Sequence, residues 1–276
     1  MRNKDFLLFG VRFKQSFQIF FLNTFNCNNM KKAVAVFLIC GLVLFFFSQS
    51  QALNKVSKSE NRISKNESAS LQKADTNQWR QLFNGKDLTG WKHVGPGSQY
   101  VEEGYIKSRG GMGLLYWTGE KFGNCTIRVV FRMRDTNSNA GVFIRIPIEP
   151  YEEWMPVFYG YEVQIDNQPE LSGENDYHYT GMLYSLTKPL AKTGKPGPQW
   201  NTMEITLDGP RTIVFLNGVK VTDFKEGDPV PARIFDFEPY HGPRPDFGFI
   251  GVQNHGEKDV VFFKEVSVKP LSKKSK

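Results

Sequence analysis

Three short segments bring residues suited to acid–base chemistry onto one side of a strand. Side chains two positions apart along a strand point the same way. In Tyr161-Glu162-Val163-Gln164-Ile165-Asp166 this puts Glu162, Gln164 and Asp166 on one face, and Tyr161, Val163 and Ile165 on a core face. In Asn139–Arg145 it pairs Gly141 with Phe143 and Arg145, opposite Val142 and Ile144. In Gly251–His255, Gln253 and His255 share a face with Gly251. A carboxylate and an imidazole suit proton transfer, a guanidinium suits a developing oxyanion, and side-chain amides orient hydroxyl groups. An ordinary wetted sheet face would also be polar. Such a face usually includes lysine, and these three segments hold none. Gly141 and Gly251 leave room for a ligand near the backbone. Phe143, Tyr151, Trp154, Tyr159 and Tyr184 lie close by in sequence as rings on which a sugar could stack.

Of the four histidines, His255 is the best functional candidate, because it follows a strand end and shares a face with Gln253. His178 lies in the polar loop 173–180, which could fold over the site. His241, in a proline-rich loop, and His93, near the start of the domain, read as surface residues. The chain has no HxH or HExxH spacing, so no preformed zinc site is indicated. A carboxylate-and-histidine site for a divalent metal, assembled from several strands, stays open, and no cofactor is required. GxSxG, P-loop and dinucleotide-binding motifs are absent, which argues against serine hydrolases, kinases and NAD enzymes.

The elements that position these residues read as strands. From Trp79 onward, short runs of Val, Ile, Phe and Tyr recur between Gly, Pro, Asn and Asp, with no helical period over twelve residues. That pattern is an all-β sandwich or barrel. The clearest strands are Thr126–Arg134, Gly141–Pro147, Tyr159–Asp166, Trp200–Leu207, Thr212–Leu216, Phe247–Asn254 and Val260–Lys269, with weaker ones at Tyr100–Lys107 and Leu114–Trp117. Asp208-Gly209 and Asn217-Gly218 are hairpin turns, because glycine accepts positive φ. They predict a consecutive meander over 200–222. Residues 223–246, with five prolines, form a long loop, and long ordered loops are often functional.

The chain ends carry different signals. Met30-Lys31-Lys32, fifteen residues without a polar side chain (33–47), and Ser50 and Ala52 make the three parts of a secretory signal. The apolar run is shorter than the roughly 20 residues that span a bilayer. Residues 1–52 are therefore expected to be a targeting segment, with Met30 as the expected true start, and any membrane contact to come through that segment. Residues 53–76 read as a flexible polar linker, 77–271 as the folded domain, and 272–276 as a Lys-rich tail. The expected destination is the periplasm or the exterior. The net charge of +7 sits mostly in the ends: beyond residue 52 there are 29 basic and 27 acidic residues. No nucleic-acid surface is implied. Cys125 is the single cysteine beyond residue 52, which excludes an internal disulfide there.

Five stretches together resemble a known family. They are 82–91 (LFNGKDLTGW), 138–145 (SNAGVFIR), 160–165 (GYEVQI), Gln199-Trp200-Asn201-Thr202 with Leu216-Asn217-Gly218-Val219, and 251–256 (GVQNHG). In this order, over about residues 79–271, they are similar to the 3-keto-disaccharide hydrolase domain family. The resemblance implies a concanavalin A-like jelly-roll β-sandwich of two antiparallel sheets, export in bacteria, and a carbohydrate substrate already oxidised at C3. A ketone there acidifies the C2 hydrogen, so a base can remove it, the C1 substituent leaves, and water adds. With that chemistry His255 or Glu162 is expected as the base and Arg145 as the enolate stabiliser. Asp166 is expected as an acid or metal ligand. Gln164, Gln253, Phe143, His178, Tyr184 and Trp154 are expected to bind substrate. Two alternatives remain open. An ordinary glycosidase would pair Glu162 with Asp166, but four strand residues separate their Cα atoms by about 13 Å, against the roughly 5–5.5 Å between carboxyl groups that a retaining mechanism needs. A non-catalytic carbohydrate-binding module would use the same face only to grip sugar.

Overall fold

The computed structural model describes residues 78–169 and 175–271. The expected targeting segment, the linker, the tail and the first part of the loop 173–180 lie outside these residues. Thirteen strands follow in order: β1 (Arg80–Gln81), β2 (Trp91–Val94), β3 (Ser98–Glu102), β4 (Tyr105–Arg109), β5 (Gly113–Trp117), β6 (Cys125–Met133), β7 (Ala140–Ile146), β8 (Tyr161–Ile165), β9 (Asn201–Asp208), β10 (Arg211–Leu216), β11 (Val219–Lys225), β12 (Phe249–Asn254) and β13 (Val261–Pro270). A five-residue helix, α1 (Met155–Tyr159), enters β8. An eight-stranded antiparallel sheet runs β11-β10-β9-β6-β13-β4-β3, with β1 added against β13. A five-stranded antiparallel sheet runs β2-β5-β12-β7-β8.

Alternation builds the core. In β6, Cys125, Ile127, Val129, Phe131 and Met133 are buried, and the residues between them are partly exposed. They meet Val142, Ile144, Tyr161, Val163, Ile165 and Val252 of the smaller sheet in one cluster between the sheets. The Cys125 thiol is buried there, and that burial pushes its pKa up to about 12, so it is no nucleophile. The 200–222 meander forms as read, with β9, β10 and β11 paired in sequence.

Two departures have local causes. The run Tyr100–Lys107 is a hairpin rather than one strand, because Glu103 and Gly104 both take positive φ (52° and 79°) and turn β3 into β4. Tyr159, placed in a strand by its sequence, ends α1, a helix too short to leave a periodic signal.

The smaller sheet differs from the larger in being buried on both faces over β7 and β8. On the face away from the main core a second cluster forms from Leu114, Tyr116, Phe143, Ile146, Met155 and Val157. Its helix and loops leave part of that face uncovered, and there the polar residues collect.

Candidate functional site

The cleft is built on β8, β7 and β12. Register places Glu162 opposite Phe143 and Gln164 opposite Gly141, while Gly251 lies opposite Phe143 on the other side. Glu162, Gln164, Gln253 and His255 therefore converge on one opening. Trp154, Val157 and Tyr184 form walls, and Met112, Asn139 and Phe237 complete it. Two of the walls, Trp154 and Tyr184, have their own support. Trp154 caps α1, with its backbone N–H donating to Glu152 Oε2 at 2.9 Å. Tyr184 stands beside Glu162 because segment 181–184 pairs with β8, the Tyr184 N–H donating to the Glu162 carbonyl at 2.9 Å.

Gln164 braces Glu162, and Gly141 makes room for it. The Gln164 amide, oriented to satisfy its surroundings, donates to Glu162 Oε1 at 3.0 Å and to the Ala140 carbonyl at 3.1 Å. Gly141 leaves space that the Glu162 side chain fills: a Cβ there would stand 2.6 Å from Glu162 Cγ. The room expected for a ligand above Gly141 is thus occupied by the carboxylate, and that above Gly251 by Leu114. Gln253 and Asn139, which line the same opening, each hold a buried amide oxygen, Oε1 and Oδ1, with no hydrogen-bond partner among the described residues. The Gln253 amide nitrogen points at Met112 Sδ, 3.7 Å away. His255 sits at the rim, its Nδ1 3.0 Å from Asp259 Oδ2.

Four expected site residues stand elsewhere. Arg145 is the clearest correction. The β7–β12 register slips, three residues on β7 spanning two on β12, and Arg145 at this bulge has φ +54°. The bulge reverses the alternation and turns the guanidinium away from the cleft. It is fully buried and donates to the carbonyls of Pro245 (2.9 Å) and Gly209 (2.6 Å). Burial lowers its pKa, against the pull of Glu226 and Asp246.

Phe143 belongs to the second hydrophobic cluster and has no exposed surface, so it packs under α1 instead of stacking on sugar. Asp166 lies past the end of β8, where its Oδ1 accepts the Gln168 N–H at 2.8 Å and stabilises a turn. His178 is buried behind the wall: it stacks on Tyr184 (centroids 4.7 Å apart), and its Nε2 lies 2.9 Å from Ser185 Oγ. It supports Tyr184 without lining the cleft.

The sequence does not single out Asn139, Met112, Val157, Phe237 or Asp259. Asn139 precedes β7, and its position two before Gly141 is the signal in the sequence that places it on the same face. Phe237 comes from the long proline-rich loop. That loop is pinned by Arg244, which donates to the carbonyls of Gly160 (2.9 Å), Phe158 (3.1 Å), Tyr240 (2.6 Å) and Gly242 (2.9 Å). Glu238 adds a turn by accepting the N–H groups of Ile234 (2.6 Å) and Phe235 (2.9 Å). Burial alone would raise its pKa, but these bonds outweigh it and lower it. Nothing in the run of five prolines tells which aromatic residue of the loop turns inward. Among the described residues, no three of His, Cys, Asp and Glu are grouped to hold a metal ion.

Fold and site together define a jelly-roll β-sandwich with a carboxylate, amides and an imidazole set in a cleft on its smaller sheet. The chain belongs to the family of 3-keto-alpha-glucoside-1,2-lyase-like domains, whose profile matches residues 78–269. A crystal structure of a candidate glycosyl hydrolase from Parabacteroides distasonis is similar at 26% identity, with a TM-score of 0.58, over 70% of this chain and 94% of that one. A second candidate glycosyl hydrolase from the same organism matches at 22% identity and a TM-score of 0.57, covering 71% of this chain and 100% of that one. A Bacillus subtilis protein of unknown function with a galectin-like fold shares the architecture at 10% identity, with a TM-score of 0.50, over 70% of this chain and 94% of that one. No curated protein sequence matches the chain.

Proposed function

We propose that the protein cleaves glycosides oxidised at C3, by elimination followed by hydration. A base removes the C2 proton, and the C2–H electrons form the enolate with the C3 ketone. The enolate reforms the ketone, a C1=C2 double bond appears, and the C1–O bond breaks. The departing oxygen takes a proton from an acid. Water then adds across C1=C2, hydroxyl to C1 and hydrogen to C2, to release the 3-keto sugar.

The observation that carries this reading is the set lining one cleft: the buried carboxylate of Glu162 with Gln253 and Asn139, each holding a buried amide oxygen that has no partner among the described residues. Leaving such an acceptor unpaired costs about 1–3 kcal/mol. Sugar hydroxyls are donors of the right kind and would recover that cost on binding. Glu162 and His255 divide the base and acid roles, while Gln253 and Asn139 hold hydroxyls and Trp154 and Phe237 offer rings at the opening. With Arg145 turned away, the enolate charge falls to neutral amide or imidazole donors, or to a divalent cation taken up with substrate. The single described carboxylate lining the cleft is Glu162, which removes support for the paired acids of an ordinary glycosidase.

The test is an assay of the purified chain against a 3-keto-disaccharide and its unoxidised parent, with and without added divalent metal. Release of 3-keto-glucose from the oxidised sugar alone is the expected result. Cleavage of the parent sugar overturns the mechanism in favour of ordinary glycoside hydrolysis. Binding of the oxidised sugar without turnover leaves a carbohydrate-binding module.

A further inference from the structure

We infer that Asp259 is the positioning residue that fixes His255 and Asn139 as one unit at the cleft. The inference rests on the reading of His255 as a proton-transfer group in the proposed elimination. Asp259 Oδ2 lies 3.0 Å from His255 Nδ1, and Asp259 Oδ1 accepts the backbone N–H of Asn139 at 2.9 Å. One carboxylate therefore ties the residue following β12 to the residue preceding β7.

Asp259 is itself built in. Its backbone N–H donates to the Gly256 carbonyl at 3.2 Å, and its own carbonyl accepts Ser108 Oγ at 3.5 Å. Gly256 lets the carboxylate approach, since a Cβ there would stand 2.7 Å from Asp259 Oδ2.

A carboxylate only accepts hydrogen bonds, so the ring nitrogen it faces carries the hydrogen. Neutral His255 is then the Nδ1–H tautomer, with its accepting lone pair on Nε2, the state a proton acceptor needs. Through the Asn139 main chain the same carboxylate fixes where the buried Asn139 Oδ1 stands. Asp259 does not line the cleft and acts only through these two residues.

The experiment uses the full chain labelled with 15N-histidine, in wild type, Asp259→Asn, Gly256→Ala and His255→Gln. The last identifies the His255 signals among the four histidines. Long-range 1H–15N correlations at alkaline pH report each neutral tautomer, and turnover of a 3-keto-disaccharide is measured alongside. In wild type His255 is expected as Nδ1–H. In Asp259→Asn it is expected to shift toward Nε2–H, with kcat down about 100-fold or more and KM little changed. Gly256→Ala keeps the charge but displaces Oδ2, and is expected to shift the tautomer the same way; it decides the matter if Asp259→Asn does not fold. An unchanged tautomer in the folded variants overturns the inference, as does a shifted tautomer with wild-type kcat. If the wild type itself turns over no ketosugar, the proposed function fails, and the tautomer arm still decides whether Asp259 orients His255.

Discussion

Glu162 and Gln253 make opposite contributions to stability and function. Glu162 sits in a space that Gly141 leaves open and Gln164 braces, so replacing it by Gln preserves shape and removes charge. Glu162→Gln is expected to fold as the wild type and to lose about 100-fold or more in kcat on a 3-keto-glucoside. Circular dichroism and a turnover assay check both halves. Gln253 instead carries a buried oxygen with no described partner. Gln253→Met removes that group at similar volume and is expected to raise unfolding stability by about 1–2 kcal/mol while weakening sugar binding. A denaturation curve with a binding titration would expose the trade, and a destabilised variant would contradict it. At this scale the sequence was legible wherever strands are regular. Glu162, Gln164, Gln253 and His255 all fall where alternation puts them. Asp259 and Phe237 were hidden because loops have no period.

Among the elements, β7 shows why alternation misplaced Arg145. Arg145 itself takes the left-handed conformation, which shifts the register and carries its own side chain to the other face, and no pattern of apolar residues announces it. The cation then satisfies carbonyls of the β9–β10 turn and of the proline-rich loop. Arg145→Ala is expected to lower stability by about 3 kcal/mol, because those carbonyls lose their donor and a large cavity opens. Activity per folded molecule should survive. Thermal unfolding and kcat of the soluble fraction measure the two effects, and a stable but inactive variant would return Arg145 to the chemistry. The helix α1 and the β3–β4 hairpin escaped for a related reason: five residues are too few for a helical period, and one Glu-Gly turn interrupts what looked like a continuous strand.

For the molecule as a whole, the all-β architecture and the meander were readable because glycine turns and apolar alternation repeat through the chain. Which strands neighbour one another was not, since pairing such as β6 with β13 joins distant segments. The larger sheet also carries an acid-sensitive contact on its edge hairpin. Bonds from Arg211 (2.7 Å) and Lys220 (2.9 Å) hold the Asp223 carboxyl down at about 2, below its ordinary 3.8. A depressed carboxylate stabilises the fold fully above its unfolded value and loses that contribution as pH falls from about 4 toward 2. Asp223→Asn is expected to be less stable than wild type by about 1 kcal/mol or less at neutral pH. The gap should close on acidification, which urea titrations at both ends of the range would measure.

The position of β13 has a consequence for the order in which the chain can acquire structure. The last strand of the described domain lies inside the eight-stranded sheet, pairing β6, β4 and β1. Until Val261 to Pro270 emerge from the ribosome, β6 and β4 each lack a neighbour, and β1 has none to pair with. The sheet therefore closes only after synthesis of the domain is complete, through contacts between residues as far apart as Arg80 and Val268. A chain ending before Val261 should leave the larger sheet open and protease-sensitive at β1, β4 and β6.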